Sequence, residues 1–408
     1  MILWLTDLAS ALFGWKIPAA FTYFSTRMLF AALTTLLFTI TLGPRFIKRL
    51  YELKIGQPIR SVEECPLLAE LHGKKKDTPT MGGILILSSM SASLLLWMDL
   101  TNVFTLILLL TTLVIGALGA SDDYLKLRFH NSRGLKPRKK LFVQVGFASL
   151  VALYLLFPPL QNALHSGRWF KPPSAKEQLI VSGEKRTEIR TTTLSTQQYA
   201  GKFYVPFFKE ALFSWNGFSL IAAFFLMIFV ITGSSNAVNL TDGLDGLAAG
   251  CLVMAALVLG LFSFLSNNID LARYLNILYI EGSGEIGVYL FALAGAALGF
   301  LWYNGYPAQV FMGDTGSLAL GAIVGVSSVL LRRELILAIA GAIFVAEAMS
   351  VILQVLSYRC RNKKRIFLCA PLHHHFEYKG WPETKVVIRF WIINLLFAII
   401  AVGSLKFQ

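Results

Sequence analysis

LIAAFFLMIFVITGSSNAVNLTDGLDGLAAGCLVMAALVLGLF, residues 220–262, places an apolar run on each side of a short polar stretch. With their flanking residues, 213–232 and 245–265, the two runs are long enough to cross about 30 Å of hydrocarbon as helices. The junction between the two runs carries Asn239, Asp242 and Asp245. This arrangement predicts a helical membrane protein in which polar residues collect where the chain turns.

The composition of the whole chain agrees with this prediction. Of its 408 residues 55% are hydrophobic and only 15% are charged, whereas soluble domains carry about a quarter charged residues. Apolar stretches of roughly 17 to 25 residues predict an all-α polytopic fold with ten transmembrane helices. They lie near 20–43, 82–98, 103–120, 141–158, 213–232, 245–265, 286–303, 316–331, 334–357 and 386–405.

Basic residues are distributed unevenly among the predicted loops. Of the 37 Lys and Arg residues, 22 lie in loops on the side opposite the two termini. The positive-inside rule makes that side cytoplasmic, so both termini are predicted to be periplasmic. Because the net charge of +14 collects at a membrane edge, the sequence predicts contact with the lipid bilayer and no nucleic-acid partner.

The sequence also predicts the structure of two segments outside the predicted spans. Residues 1–13 are apolar, contain Asp7 and lack a basic start, which predicts a helix on the membrane surface rather than a signal peptide. The chain 1–408 is predicted to be a single integral-membrane domain with a periplasmic insertion at about 159–212. Alternating residues at 178–194 predict a β-hairpin within that insertion.

Unusual polar residues occur in all five loops that are predicted to be cytoplasmic, and the outer loops have no comparable cluster. A single site on the cytoplasmic face explains this pattern. The five stretches are HGKKKDTPTMGG (72–83), SDDYLKLR (121–128), NAVNLTDGLDG (236–246), YNGYPAQVFMGDTGS (303–317) and PLHHHFE (371–377).

Three aspartates in two of these stretches suit a divalent cation. Asp122 and Asp123 are adjacent at the end of a span, where two carboxylates repel unless a cation neutralises them. Asp314 lies between two glycines in a turn that begins the next helix. A few carboxylates suit Mg²⁺, which leaves its other positions to water and phosphate oxygens. A helix N-cap at Asp314 and a solvated pair at Asp122 and Asp123 are the alternatives.

Asn239, Asp242 and Asp245 recur every three residues, so on a helical turn they would share one face. There they could accept hydrogen bonds from a base or a ribose, and helix capping is the alternative. The lysine-rich clusters 74–76 and 138–140 could neutralise phosphates of a substrate or of lipid.

The histidine triplet and one buried glutamate are the remaining polar candidates. Adjacent side chains cannot all face one point, so we expect one or two of His373, His374 and His375 to bind phosphate or sugar. Glu347 lies in the middle of a predicted span, where an ionisable residue is a candidate for function. A hydrogen-bonded carboxyl that ties helices together is the favoured interpretation.

Taken together, these motifs resemble a known superfamily. DDYLK, NAVNLTDGLDGLA and VFMGDTGSLALG are similar to motifs of the polyprenyl-phosphate sugar-1-phosphate transferases. TPTMGG and PLHHHFE resemble the phospho-N-acetylmuramoyl-pentapeptide transferase branch, because relatives that transfer N-acetylglucosamine phosphate lack the histidine triplet. The resemblance covers nearly the whole chain.

The resemblance implies a reaction and a location. UDP-N-acetylmuramoyl-pentapeptide would react with undecaprenyl phosphate to give lipid I and UMP in a Mg²⁺-dependent step of peptidoglycan synthesis. The protein would be a multi-pass protein of the bacterial inner membrane, and family members are often homodimers. Direct attack of the lipid phosphate is favoured over an aspartyl-phosphate on Asp314.

The resemblance also implies roles for individual residues. Asp122, Asp123, Asp314 and His373 are expected to be catalytic, with Asp314 as the metal ligand. Asp122 would either act as a base or orient the metal and the acceptor. Which lysine of 74–76 matches the family is slightly open, because Lys-Asp stands where the family often has glycine. With the residue patterns above, the predicted substrate-binding set is Lys76, Lys140, Asn239, Asp242, Asp245, Asn304, Phe311, His374 and His375.

Other functions fit the pattern less well. The same chemistry on UDP-N-acetylglucosamine or another sugar nucleotide is the nearest alternative, and the histidine triplet argues against it. Transporter sites tend to lie near the bilayer midplane, whereas these residues crowd one edge. A purely structural scaffold would not explain acidic residues in three separate loops.

Overall fold

The computed structural model describes residues 12, 19–53, 78–129, 134–167, 169–182 and 187–407. The predictions for residues 1–13, Leu12 apart, and for Lys76 with its neighbouring lysines lie outside these ranges. The helices are α1 (Phe24–Glu52), α2 (Gly83–Trp97), α3 (Val103–Arg128), α4 (Pro137–Leu156), α5 (Pro158–Leu164), α6 (Thr196–Ala200), α7 (Leu220–Thr241), α8 (Leu247–Ser266), α9 (Ile269–Tyr274), α10 (Gly284–Asn304), α11 (Gly313–Leu330), α12 (Glu334–Ala340), α13 (Ala342–Cys360), α14 (Leu372–Tyr378) and α15 (Glu383–Gly403).

In the described part of the chain, nine helices are long and apolar enough to cross a membrane. The predicted second span is the 15-residue helix α2, which is apolar but shorter than these nine. The predicted ninth span, 334–357, is divided at Gly341 into α12 and α13. Apolar composition therefore located the helices and did not show this break.

Two helices continue beyond the apolar stretches that predicted them. α3 runs to Arg128 rather than to residue 120, and α7 runs to Thr241 rather than to residue 232. Hydropathy marks where a helix lies in hydrocarbon, but its backbone hydrogen bonds continue equally well through polar residues. As a result, Asp122, Asp123 and Asn239 stand on rigid helical turns rather than in loops.

Strands occur only in the insertion and in one neighbouring loop among the residues that the structure describes, which amends the all-α prediction. β1 (Ala175–Ser182) pairs antiparallel with β2 (Thr187–Leu194), so the predicted hairpin is confirmed. β5 (Tyr279–Ile280) joins the free edge of β1, and the connected strands β3 (Lys202–Tyr204) and β4 (Ala211–Ser214) form a second hairpin.

The helix α11 lies at the centre of the helical body. Of the 18 residues of this helix 89% are buried, which is the largest share for any candidate membrane-spanning helix in the described part of the chain. The helix packs against α3 and α7. Within a bilayer such contacts depend on close packing of small residues. A Cβ on Gly119 would lie 2.3 Å from the carbonyl oxygen of Asp314, so α3 directly touches the first turn of α11.

The membrane edge at which α3 ends and α11 begins is called the site end, and the opposite edge, beside the insertion, is called the insertion end. At the insertion end, two buried carboxylates lie against arginine side chains. Arg27 lies 2.6 Å from Glu285, and Arg332 lies 2.7 Å from Glu334. A third pair joins Lys202 of β3 to a glutamate of β1. These pairs fasten helix ends and the insertion together.

Candidate active site

Three carboxylates meet at the site end. Asp122 and Asp123 come from the last turns of α3, and Asp314 comes from the first turn of α11. One oxygen from each lies within 4.8 Å of the others. The close contact of Gly119 with α11 sets this distance, because it leaves no space between the two helix ends. The predicted cluster of these three residues is therefore formed.

Asp123 caps the start of α11. Its Oδ1 accepts a hydrogen bond from the backbone N–H of Asp314 at 3.1 Å, and its Oδ2 accepts from the N–H and the hydroxyl of Thr315 at 2.9 and 2.6 Å. The first N–H groups of a helix have no partner within the helix, and a carboxylate satisfies them well. Asp123 of α3, and not Asp314, therefore caps α11. The Asp314 side chain is not needed as the N-cap and can bind other groups.

Two lysines neutralise the cluster. The Lys126 ammonium lies 2.7 Å from Asp122 Oδ2 and 3.1 Å from Asp314 Oδ2. Lys140, at the start of α4, lies 2.9 and 2.6 Å from the same two oxygens. Three carboxylates thus share two ammonium groups within the cluster. Asp122 Oδ1 also accepts from the backbone N–H of Leu135 at 2.7 Å.

The end of α7 supplies the next contacts. The Asn239 amide donates to Asp314 Oδ1 at 2.9 Å and to the hydroxyl of Ser317 at 2.9 Å. Asp242 ends the helix and accepts from the backbone N–H of Gly313. Burial and the nearby carboxylates, Asp314 above all, raise the pKa of Asp242 to about 8, so it is mostly protonated at neutral pH.

The expected common face of Asn239, Asp242 and Asp245 is not observed. α7 ends at Thr241, so Asp245 lies in the turn before α8 and not on the same helical face. Glycines at 243 and 246 favour this turn over a continuing helix. Asp245 Oδ2 accepts from the backbone N–H of Ala308 at 3.0 Å, so this carboxylate ties the third loop to the fourth.

Asn304 and Phe311 lie in the same fourth loop. The Asn304 side chain accepts from the N–H of Gly246 at 3.0 Å and donates to the carbonyl of Val310 at 2.9 Å. Phe311 is partly buried, and its carbonyl accepts from the N–H of Gly82 at 2.8 Å. Both residues therefore stand where the first, third and fourth loops meet, and their predicted contacts with uridine stay predictions.

The fifth loop brings His373 to the same end. His373 is fully buried, and its Nε2 lies against Gly243, where a Cβ would be 2.3 Å away. Its backbone N–H donates to Glu347 Oε1 at 3.1 Å. The His374 Nδ1 lies 2.6 Å from a Glu377 carboxylate oxygen, and the His375 Nδ1 accepts from the N–H of Leu368 at 3.1 Å. The three rings thus have different partners.

The donor set fits a small, hard cation. Mg²⁺ binds oxygen ligands at about 2.0–2.1 Å and takes one or two carboxylates. Asp122 Oδ2 and Asp314 Oδ2 share the same two ammonium neighbours and face one point. Both oxygens of Asp123 accept hydrogen bonds from α11, so Asp123 suits a supporting position better than a ligand position.

Two contributors were missed or undervalued in the sequence. Lys126 follows Asp122 by four residues in DDYLK, and this spacing on a helix was a signal for an ion pair. Glu347 was left out of the predicted site and interpreted as a hydrogen-bonded carboxyl that ties helices together, and it does join α13 to α14 by accepting from the backbone N–H of His373. That contact joins residues 26 positions apart, and no local pattern in the sequence indicates it.

Comparison with known proteins agrees with this architecture. Residues 105–332 match Glycosyl transferase family 4, and residues 75–87 match the phospho-N-acetylmuramoyl-pentapeptide-transferase signature 1. The chain is 62% identical, over the full length of both proteins, to the phospho-N-acetylmuramoyl-pentapeptide-transferase of Protochlamydia amoebophila. Proteins of that name from Methylacidiphilum infernorum and Desulfotalea psychrophila are 45% and 43% identical over 95% of each chain.

The apolar helices and the acidic site thus define a polytopic membrane protein of the Glycosyl transferase family 4 class. Within this class, the chain belongs to the phospho-N-acetylmuramoyl-pentapeptide-transferase family. The full-length match to relatives of this name does not favour the alternative donor, UDP-N-acetylglucosamine.

Proposed function

We propose that the chain transfers phospho-N-acetylmuramoyl-pentapeptide from UDP-N-acetylmuramoyl-pentapeptide to undecaprenyl phosphate in the bacterial inner membrane. The products are lipid I and UMP. The observation that carries the proposal is the meeting of Asp122, Asp314, Lys126 and Lys140 at one membrane edge. A polar diphosphate and a lipid-anchored phosphate can both reach such an edge.

The acidic cluster supports a magnesium site held by Asp314, with Asp122 facing the same point. When bound, Mg²⁺ neutralises developing charge on a diphosphate, which is the main requirement of phosphoryl transfer. Asp123 contributes by holding the first turn of α11, and hence Asp314, in place. Lys126 and Lys140 supply positive charge beside the carboxylates, where they can neutralise phosphate oxygens of the donor.

Direct attack by the lipid phosphate fits the geometry better than an aspartyl-phosphate on Asp314. Oδ2 of Asp314 lies within 3.1 Å of two ammonium groups, and Oδ1 accepts from Asn239. A carboxylate whose oxygens are both engaged in this way is a poor nucleophile. A phosphate monoester is largely ionised at neutral pH, since its second pKa is about 6, so Asp122 is better suited to orient the acceptor than to deprotonate it.

The remaining assignments follow from the same arrangement. We assign uridine recognition to the meeting point of the first, third and fourth loops, with Asp245, Asn304, Phe311 and Lys76. With α2 counted as a tenth crossing, the site end faces the cytoplasm, both termini lie on the periplasmic side and the insertion 159–212 is periplasmic. A homodimer stays a prediction.

The direct test is release of UMP by purified protein in detergent with undecaprenyl phosphate. We expect turnover with UDP-N-acetylmuramoyl-pentapeptide, loss of turnover in EDTA and recovery on addition of Mg²⁺. UDP-N-acetylglucosamine serves as the matched donor and should give no UMP. Turnover of that donor, or full activity in EDTA, would contradict the proposal.

A further inference from the structure

Glu347 and His373 form a buried pair beside the acidic cluster. Glu347 lies in the second turn of α13 and His373 in the first turn of α14, and both residues are fully buried. His373 Nδ1 lies 3.2 Å from Glu347 Oε1, and the His373 backbone N–H donates to the same oxygen at 3.1 Å. One carboxylate oxygen thus contacts both the backbone and the ring of a single residue.

We infer that Glu347 is a positioning residue that sets the orientation and tautomer of His373. This inference rests on the proposed function, in which His373 serves the transfer reaction.

The carboxylate constrains the imidazole because of the chemistry of its two nitrogens. In a neutral imidazole one nitrogen carries hydrogen and the other has a lone pair, and the charges around the two nitrogens decide which. Nδ1 lies 3.2 Å from Glu347 Oε1 but outside hydrogen-bond geometry. A carboxylate can only accept, so its negative oxygen at that distance favours hydrogen rather than a lone pair on Nδ1 and leaves the lone pair on Nε2.

The second ring nitrogen lies against the turn between α7 and α8. Nε2 lies directly against Gly243, and no described residue gives it a hydrogen-bond partner. The adjacent Asp242 accepts from the N–H of Gly313, the residue before Asp314. A buried ring nitrogen without a partner is costly to keep. Its position on the turn that contacts α11 is explained if a hydroxyl group of the substrate donates to it.

A backbone anchor alone would not need the ring contact. Had Glu347 served only to fasten α14, its acceptance from the His373 backbone N–H would be sufficient, and the identity of the ring would not matter. A role in positioning the ring makes the opposite prediction, because the effect of changing Glu347 must then depend on His373.

The test is a double-mutant cycle on UMP release. Glu347→Leu keeps the approximate volume and removes the acceptor, and His373→Asn removes the ring. We expect each change to lower kcat/KM about 100-fold, the scale on which the loss of a positioned side chain, or of the group that orients it, acts. The double variant should be no less active than His373→Asn alone, since a positioning residue has no effect without the side chain that it positions.

Two further variants complete the experiment. Glu347→Gln keeps a carbonyl acceptor in the same place, so it should retain more activity than Glu347→Leu. Ser350→Ala is the matched control, because this buried serine lies one turn further along α13 and donates only to the carbonyl of Glu347. It should keep wild-type kcat/KM.

The outcomes are distinct. Independent effects that multiply to about 10⁴-fold in the double variant, or a folded Glu347→Leu protein of normal activity, overturn the inference. Should Glu347→Leu not fold, the cycle with Glu347→Gln decides: the Gln effect must vanish in the His373→Asn background, and its persistence refutes the positioning role. Absence of turnover in the wild type would instead count against the proposed function.

Discussion

The two membrane edges of this protein both bury charge, and they do so differently. At the insertion end the closest charge contacts join one acidic and one basic side chain, as in the pair Arg27–Glu285, whose side chains are only 3% exposed, and the buried Arg333 guanidinium lies over the rings of Tyr204 and Phe262. At the site end three carboxylates surround two lysines, and Asp314 keeps 13% of its side chain exposed. The buried cluster at the site end thus has one carboxylate more than it has ammonium groups, and it keeps access to solvent.

The difference separates charges that hold the fold from charges that serve chemistry. A one-to-one buried pair satisfies its own charge and needs nothing from outside. An acidic cluster with fewer cations than carboxylates favours a further cation, and its two lysines can turn to a negatively charged substrate. Burial of a charged residue therefore does not by itself identify the site.

The largest effect is expected for Asp314→Asn. Loss of this charge removes the central oxygen ligand, and we expect UMP release to fall by about 10³-fold while the protein stays folded. Thermal unfolding in detergent checks the fold. Asp270→Asn, in the first turn of α9 at the insertion end, is the matched control and should retain full activity. Near-normal turnover of Asp314→Asn would remove this residue from the site.

At the insertion end, Arg27→Met should act on stability alone. Glu285 would remain buried without its partner, a change that costs about 3–5 kcal/mol. The unfolding temperature in detergent should fall, with turnover of the folded protein unchanged at lower temperature. Adding Glu285→Gln should restore part of the loss, because the unpaired charge is then gone. A double variant less stable than Arg27→Met would contradict this explanation.

Lys126→Met tests how one ammonium group at the site end affects binding of Mg²⁺. Removal of an ammonium that lies 2.7 Å from Asp122 leaves the cluster more negative, so Mg²⁺ should bind more tightly while the maximal rate falls about 10-fold. The Mg²⁺ concentration at half-maximal UMP release is the measurement, and we expect it to decrease. An increase would show that Lys126 supports the metal rather than competing with it.

A smaller effect is expected in the pH dependence of stability. Asp242 has a raised pKa of about 8 against an ordinary value of 3.8. Between these values the unfolded chain releases a proton that the folded chain keeps, so stability should decrease as pH rises toward about 8 and level off above it. Thermal unfolding in EDTA across this range measures the slope.

Asp242→Asn is the control for this pH dependence, because it cannot titrate and should flatten the slope. An unchanged slope in that variant would assign the dependence to another group. Bound Mg²⁺ should also weaken it, since a cation at Asp314 offsets part of the negative charge that raises the pKa of Asp242.

Much of the fold was predictable because a membrane imposes a simple local rule. A helix in hydrocarbon needs an uninterrupted apolar stretch, so α8 and α15 are visible directly as apolar runs. The β-hairpin within the insertion followed from alternation in the same way. The break at Gly341 was missed, because the residues on both sides are equally apolar and only their packing distinguishes α12 from α13.

The sequence predicted which residues form the site better than it predicted how they are arranged. Polar motifs at one edge indicated that Asp122, Asp314, Lys140 and Asn239 would meet, and their side chains are in contact. The proposed common face of Asn239, Asp242 and Asp245 was wrong, because α7 ends before the last two.

By itself the sequence determined that this chain is a multi-pass membrane protein whose polar residues gather at one membrane edge. Both properties depend on stretches of residues that are adjacent in the sequence. Tertiary structure alone decided that Asp123 caps α11 and that Glu347 contacts His373. It also decided that Asp314 shares its lysines with Asp122. Hydrogen bonds and ion pairs act over only a few ångströms, so partners that are distant in sequence are fixed when the helices pack.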